Sequence, residues 1–408
     1  MEAFIKDQII PTIKYLPFHW AASYFKPSAS EEVARAKKKA GGFIKGVCHP
    51  TENFEQIKGA GIRWNRADIP FPYDKEGHVR QCYMDWKEKM RRYISNGIKI
   101  MAVTPYPREY IDEGGIDPRL PENEGRVREI AMFMLRDLKG IASAIQITNE
   151  MGVPRFILPL TMQEAARFIG IHLATMYPHR GDVLLGYNSA GPQSNLHVLM
   201  RPWHRYCDYV GMDIYVGCFA PVGNFLGVFD IMLRYLWSMT GKPVMLCEFG
   251  YISGGVPKTQ EEKTRLLQER YGVKSEAEAK AKLPAVMARM NETMRGTIQK
   301  CASGDWGEYM FNIEFSNHMY CELPKRVVIK KYPHTPEGQA DFYRAVFPRL
   351  AKMPYLLGAF IYCWKDSERC YVCGQSDCPT ESRWGVVDLN DDEKPCYQAL
   401  AETLPKIQ

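Results

Sequence analysis

Nowhere in these 408 residues is there a run of about 18 apolar side chains, so no segment is expected to cross a bilayer as a helix. A secretory leader is missing too. Met1 to Asp7 has no basic n-region, and the apolar stretch after it is broken by Pro11, Lys14 and Pro17, so the chain reads as cytoplasmic or as a mature form. Charge of one sign is scarce: +6 over this length is too weak to argue for nucleic acid. There is no internal repeat beyond the strand and helix alternation described below, no low-complexity tract and no interdomain linker. Of the 12 cysteines, several lie inside apolar runs (Cys48, Cys207, Cys247, Cys363), the setting of buried free thiols in a reducing compartment.

What is present is a beat of short apolar runs alternating with amphipathic helices. The runs are Phe43 to Cys48, Ile62 to Ile69, Ile98 to Thr104, Ala144 to Thr148, Val183 to Tyr187, Tyr209 to Tyr215, Val244 to Phe249 and Gly358 to Trp364. Apolar runs of this length read as buried parallel strands. Residues 1–42 fall outside the rhythm and read as an N-terminal extension. Residues 43–408 read as one catalytic domain, an α/β (β/α)8 TIM barrel, interrupted between its seventh and eighth strands by a long helical insertion at about 253–333. Charged helices are expected there from Gln260 to Tyr271, Ser275 to Lys282 and Pro284 to Cys301, then a mixed segment with Trp306, Phe311 and Phe315. Thr161 with Glu164 three residues on predicts a capped helix start.

Two of the runs end in a carboxylate. Val244-Met245-Leu246-Cys247 delivers Glu248 and stops at Gly250, while Ala144-Ile145-Gln146-Ile147-Thr148 delivers Asn149-Glu150. The two acids stand 98 residues apart, which at about 30 residues per strand and helix unit is three units, placing them on strands four and seven. A pair of carboxylates at the C-terminal ends of barrel strands is what glycoside hydrolysis requires: one protonates the leaving oxygen, the other attacks or activates water. The bland alternative for each is a salt-bridged acid at a strand end.

These residues resemble clan A of the glycoside hydrolases, the retaining β-glycosidases on (β/α)8 barrels. The likeness lies in Asn149-Glu150 ending strand four, Glu248-Phe249-Gly250 ending strand seven, Arg66 on strand two, Tyr215 on strand six and Trp364 ending strand eight. The segment from Trp384 to Leu400 looks like the closing segment of such barrels. Departures are Met151 where many relatives have proline, and a third strand ending Thr104-Pro105-Tyr106 without a histidine.

The resemblance implies that Glu150 is the general acid and base and Glu248 the nucleophile, with Asn149 donating to a sugar hydroxyl, Arg66 and Tyr215 binding Glu248, and Trp364 flooring the reacting subsite. Alternation along strand two sets Arg63 against Arg66 without saying which faces inward; the resemblance selects Arg66. His49, ending strand one, is either a sugar contact or a satisfied core histidine. Cys370-Tyr371-Val372-Cys373 with Cys378 has half of a zinc motif, and without a second C-x-x-C it reads as plain thiols. No metal and no cofactor are expected. The implied activity is hydrolysis of β-linked oligosaccharides by double displacement, exo-acting if the insertion closes one end of the cleft. An endo-β-glycanase, a transglycosylase and a non-catalytic carbohydrate-binding barrel stay open, as does the oligomeric state.

Overall fold

The computed structural model describes residues 10–25, 31–218, 225–255, 259–290, 295, 328–370 and 381–407. Eight parallel strands close into a barrel in sequence order: β1 Ile44–Cys48, β2 Trp64–Asp68, β3 Lys99–Val103, β4 Ala142–Ile147, β5 Leu184–Ala190, β6 Tyr209–Asp213, β7 Val244–Phe249 and β8 Leu356–Ile361. β1 pairs with β8, Gly46 opposite Phe360, and closes the ring. The expected (β/α)8 architecture is therefore present, with small shifts at the strand ends. β2 is shorter than the apolar run around it, β5 runs three residues past Tyr187, and β6 and β8 end before Tyr215 and Trp364.

Each strand alternates between the barrel interior and the helices outside. On β2, Trp64 joins the interior cluster while Asn65 faces Met90 of the helix Gln81–Ser95. The interior is filled by large side chains set against glycines. A Cβ on Gly46 would fall 2.1 Å from the Phe360 ring, and one on Gly186 would fall 2.4 Å from the carbonyl oxygen of Tyr209. Glycine is needed there for space, because the neighbouring rings occupy the volume that a side chain would take.

Outside the ring, the amphipathic helices bury their apolar faces against the strands. The helix Met162–Met176 begins as expected: Thr161 accepts the Glu164 N–H, and the Glu164 carboxylate accepts the Thr161 N–H in return. Gly241, at φ 68°, ends the helix Gly227–Thr240 in the left-handed conformation that suits glycine.

The residues before β1 contribute more than an extension. Helix α1, Ile10–Ser23, lies on the helix Gly227–Thr240, where His19 meets the Tyr235 ring edge-on at 5.8 Å. Helix α2, Glu31–Ala40, sends Val33, Ala36 and Ala40 into the same apolar cluster as Ile44, Trp64 and Met245. It plugs the N-terminal end of the barrel. Three polar ties spread around the ring hold it there: Glu32 with Lys242 at 3.2 Å, Lys39 Nζ to the Gly181 carbonyl at 2.8 Å, and Lys99 Nζ to the Ala40 carbonyl at 2.9 Å.

In the insertion, helices Gln260–Tyr271, Glu276–Ala281 and Leu283–Arg289 share a small apolar core of their own built on Leu267, Tyr271, Val273, Ala279, Val286 and Met290. The remainder expected as helix to Cys301, and the segment with Trp306, Phe311 and Phe315, lie outside the described residues. So do Cys373 and Cys378, whose thiol-or-metal question the described residues do not reach.

Candidate active site

Glu248 ends β7 pointing into the mouth of the barrel, with both carboxylate oxygens taken. Arg66 Nη1 donates to Oε1 at 2.6 Å, and the Tyr215 hydroxyl donates to Oε2 at 2.6 Å. Arg66 is 2% exposed and Glu248 8%. Arg63, the rival on the same strand, is exposed and spends its guanidinium on the carbonyls of Lys58 and Ile62. Burial works against the Arg66 charge and is the largest single influence, but Glu248, with Cys48, Asp213 and Cys247 behind it, together outweigh it and hold the guanidinium well above its ordinary pKa.

Arg66 also joins this acid to the second carboxylate-bearing segment. Its Nη2 donates to Asn149 Oδ1 at 2.7 Å and its Nε to Gln146 Oε1 at 3.2 Å. Asn149 Oδ1 accepts from Asn188 Nδ2 as well, at 2.6 Å, and from Gln146 Nε2 at 3.3 Å. With the oxygen so committed, the Asn149 amide nitrogen is the group left to meet a ligand hydroxyl.

The Thr148-Asn149-Glu150 corner bends through two left-handed residues, Thr148 at φ 54° and Glu150 at φ 48°. Side chains outside an L-residue's comfortable backbone regions cost roughly 1–3 kcal/mol each and persist only when neighbours impose them. The neighbours are on hand. Thr104 Oγ1 accepts the Thr148 N–H at 2.9 Å, Gln146 Nε2 donates to the Thr148 carbonyl at 2.7 Å, and Asn188 Oδ1 accepts the Glu150 N–H at 3.0 Å. Glu150 itself is half-buried at the mouth.

Four side chains that the motifs did not single out stand here too. Asn188 comes from the part of β5 beyond Tyr187, and Asp213 ends β6 opposite Glu248. Asp213 Oδ2 accepts from Asn188 Nδ2 at 2.6 Å. Burial, reinforced by the charges of Glu248 and Glu150, raises the Asp213 carboxyl well above the usual carboxylate range. Tyr106, delivered by the end of β3, stacks on Phe156 at 5.3 Å; burial raises its phenol, with the charges of Asp68, Glu248 and Glu150 adding to it and Arg66 opposing.

The fourth is Tyr362, and it corrects the expectation for Trp364. Trp364 has no exposed surface: its ring packs toward Tyr397 in the outer core, so it offers no face to a ligand. β8 ends at Ile361, and the half-buried ring one residue on, Tyr362, meets His49, Tyr215 and Trp384 edge-on at about 6 Å. Its phenol is raised by burial first, with Glu248 among the charges acting on it. His49 is exposed, at φ 52°, rather than a core histidine. Gly250 permits this packing, since a Cβ there would lie 2.3 Å from the Tyr362 carbonyl oxygen and 2.9 Å from the Trp384 ring. No grouping of histidine, cysteine and acidic side chains suited to a metal ion occurs among the described residues.

No protein-family model and no curated protein matches this chain. Among solved structures it is similar to the GH53 catalytic domain of Ignisphaera aggregans, at 13% identity over 88% of this chain and 95% of that one, with a TM-score of 0.54. It is similar also to a family 39 glycoside hydrolase from the gut symbiont Bacteroides cellulosilyticus, at 15% identity over 89% and 63%, TM-score 0.53. A β-glucuronidase from an uncultured Clostridium sp. aligns at 11% identity over 87% and 46%, TM-score 0.50. At these identities the likeness establishes the fold. The chain spans about half the length of several of the solved structures that it matches, 51% in three of them.

Proposed function

We propose that this protein is a glycoside hydrolase, and specifically a retaining β-glycosidase with Glu248 as nucleophile and Glu150 as acid and base. The observation that carries the reading is Glu248 itself: a buried carboxylate at a barrel strand's C-terminal end, with a guanidinium on one oxygen and a phenol on the other. That arrangement supplies the counter-charge an attacking carboxylate needs and fixes its direction of attack. The structural likeness to glycoside hydrolases of families 39 and 53 is consistent with it.

In the first step a Glu248 oxygen bonds to the anomeric carbon as the glycosidic C–O bond breaks, and Glu150 gives its proton to the departing oxygen. In the second, water gives a proton to Glu150 and bonds to the same carbon, releasing Glu248. Asn149 meets the sugar's 2-hydroxyl through its amide nitrogen, and Tyr362 and His49 line the reacting subsite. The substrate class is a β-linked oligosaccharide. Exo action rests on the insertion after β7 closing one end of the cleft.

The test is hydrolysis of aryl β-glycosides (glucoside, galactoside, mannoside, xyloside, glucuronide, fucoside) and of β-linked oligosaccharides by the wild type, Glu150→Gln and Glu248→Gln. Turnover of one sugar with retained configuration, lost in Glu248→Gln to below about one-thousandth, is the expected result. Inverted configuration would remove Glu248 from the nucleophile's role, and binding of oligosaccharide without turnover by any form would replace the enzyme with a carbohydrate-binding barrel. Release of single sugars from chain ends supports exo action; internal cuts would overturn it.

A further inference from the structure

Glu150 sits at φ 48°, where a glutamate rarely rests, and its N–H donates to a side-chain oxygen, Oδ1 of Asn188, at 3.0 Å. An asparagine amide is nearly symmetric in outline, so shape alone does not decide whether oxygen or nitrogen faces Glu150. Two acceptors decide it. Asn188 Nδ2 donates at 2.6 Å to Asn149 Oδ1 and at 2.6 Å to Asp213 Oδ2, so both amide hydrogens are committed away from Glu150 and the oxygen must face the Glu150 N–H. Asn149 is needed for other contacts, with Arg66 and Gln146 on the same oxygen. Asp213 carries no such second duty. It is 3% exposed, and its Oδ1 has no hydrogen-bond partner among the described residues.

We infer that Asn188 and Asp213 are positioning residues for the acid and base: Asp213 orients the Asn188 amide, and Asn188 fixes the Glu150 backbone so that its carboxyl reaches the leaving oxygen. The inference rests on the glycosidase reading. It accounts for a buried acid whose side-chain hydrogen bond among the described residues goes to Asn188 and not to the nucleophile or Arg66. Burial and the two neighbouring glutamates push the Asp213 carboxyl towards its uncharged form, in which its carbonyl oxygen is still an acceptor for Asn188. Asparagine at 213 keeps a carbonyl acceptor and is neutral, so it substitutes; leucine fills similar volume and accepts nothing.

The experiment compares kcat/KM for phenyl and 2,4-dinitrophenyl β-glycosides, because a phenol leaves slowly without a proton and a dinitrophenol needs none. General acid catalysis contributes about 10²–10⁴-fold, and a displaced acid loses part of that. Asn188→Ala and Asp213→Leu are expected to lower the phenyl substrate about 30-fold and the dinitrophenyl substrate less than about threefold, with Asp213→Asn within about threefold of wild type on both. Equal losses on the two substrates, no loss, or a loss in Asp213→Asn as large as in Asp213→Leu each overturn the inference. If Asn188→Ala does not fold, Asp213→Leu carries the comparison, since it keeps Asn188 in place and removes only one of the two acceptors of its amide nitrogen. Should wild type hydrolyse no glycoside, the glycosidase reading fails; the positioning claim is then judged by the crystal structure of Asn188→Ala, where Glu150 is expected to leave φ near 48° and an unmoved Glu150 refutes it.

Discussion

Replacing Arg66 by methionine, which fills similar space without charge, strips Glu248 of its guanidinium while leaving the carboxylate where it is. Both partners are almost wholly enclosed, Arg66 at 2% and Glu248 at 8% exposed, and their contact is 2.6 Å. Asn149 and Gln146 lose their donors in the same change. Breaking one side of a buried pair costs about 3–5 kcal/mol, because the remaining charge has neither water nor partner. Against a total stability of roughly 5–15 kcal/mol that is a large share. Removing the charge with Glu248→Gln in the same chain should return about 2 kcal/mol of the loss, so the two substitutions are not additive. The assay is urea unfolding of wild type, both single variants and the double variant at pH 7.5. A loss below about 1 kcal/mol in Arg66→Met, or a double variant equal to the sum of the singles, would falsify the claim that this pair is an enclosed, coupled unit.

Other consequences can be checked alongside. Tyr215→Phe removes the hydroxyl from Glu248 Oε2 at 2.6 Å; a hydrogen bond to a charged group is worth about 1.5–3 kcal/mol, so kcat/KM on the turned-over glycoside should fall roughly 10- to 100-fold, and an unchanged value would remove Tyr215 from the reaction. Glu109 accepts the Tyr106 N–H, and burial, helped by the charges of Asp68 and Glu113 against Arg80, pushes its carboxyl up to about 7. A carboxyl raised on folding binds its proton more tightly in the native state, so stability falls as pH rises from about 4 to about 7, by a ceiling near 3 kcal/mol and about 1–2 kcal/mol after solvent screening. Glu109→Gln should escape that fall, and parallel stability profiles of the two proteins between pH 4 and pH 8 would rule the effect out. Gly46→Ala forces a Cβ to within 2.1 Å of the Phe360 ring and should cost about 1–3 kcal/mol in urea unfolding, largely recovered by adding Phe360→Leu; a neutral Gly46→Ala would show the interior to be loosely filled.

Strands that end in an acid are easily read, because an apolar run that suddenly carries Glu or Asn-Glu has no packing reason to do so. That made β4 and β7 legible along with their carboxylates. Arg66 could be named only through the resemblance, since alternation cannot tell inside from outside; the structure settles its face because Trp64, two residues earlier, joins the interior cluster. Asn188 was hidden because the run read as strand five stops at Tyr187, whereas β5 continues through Asn188 to Ala190. Asp213 lay in plain view beside Tyr215, but nothing in a sequence distinguishes an acid that orients an amide from one that meets solvent. Trp364 misled for a related reason: strand length decides which of two aromatic residues near a strand end faces the mouth, and β8 stops before both. The plugging role of α2 depends on which end of the ring it lies under, and periodicity carries no such information.

That helix bears on how the protein can be cut. A boundary drawn at residue 43, where the repeating units begin, would uncover Ile44, Trp64 and Met245 at the ring's open base and sever the ties to Lys99, Gly181 and Lys242. A fragment that keeps this base covered therefore has to include the helix from Glu31 onward. A shorter one would present an oily disc, ready to stick to its own copies.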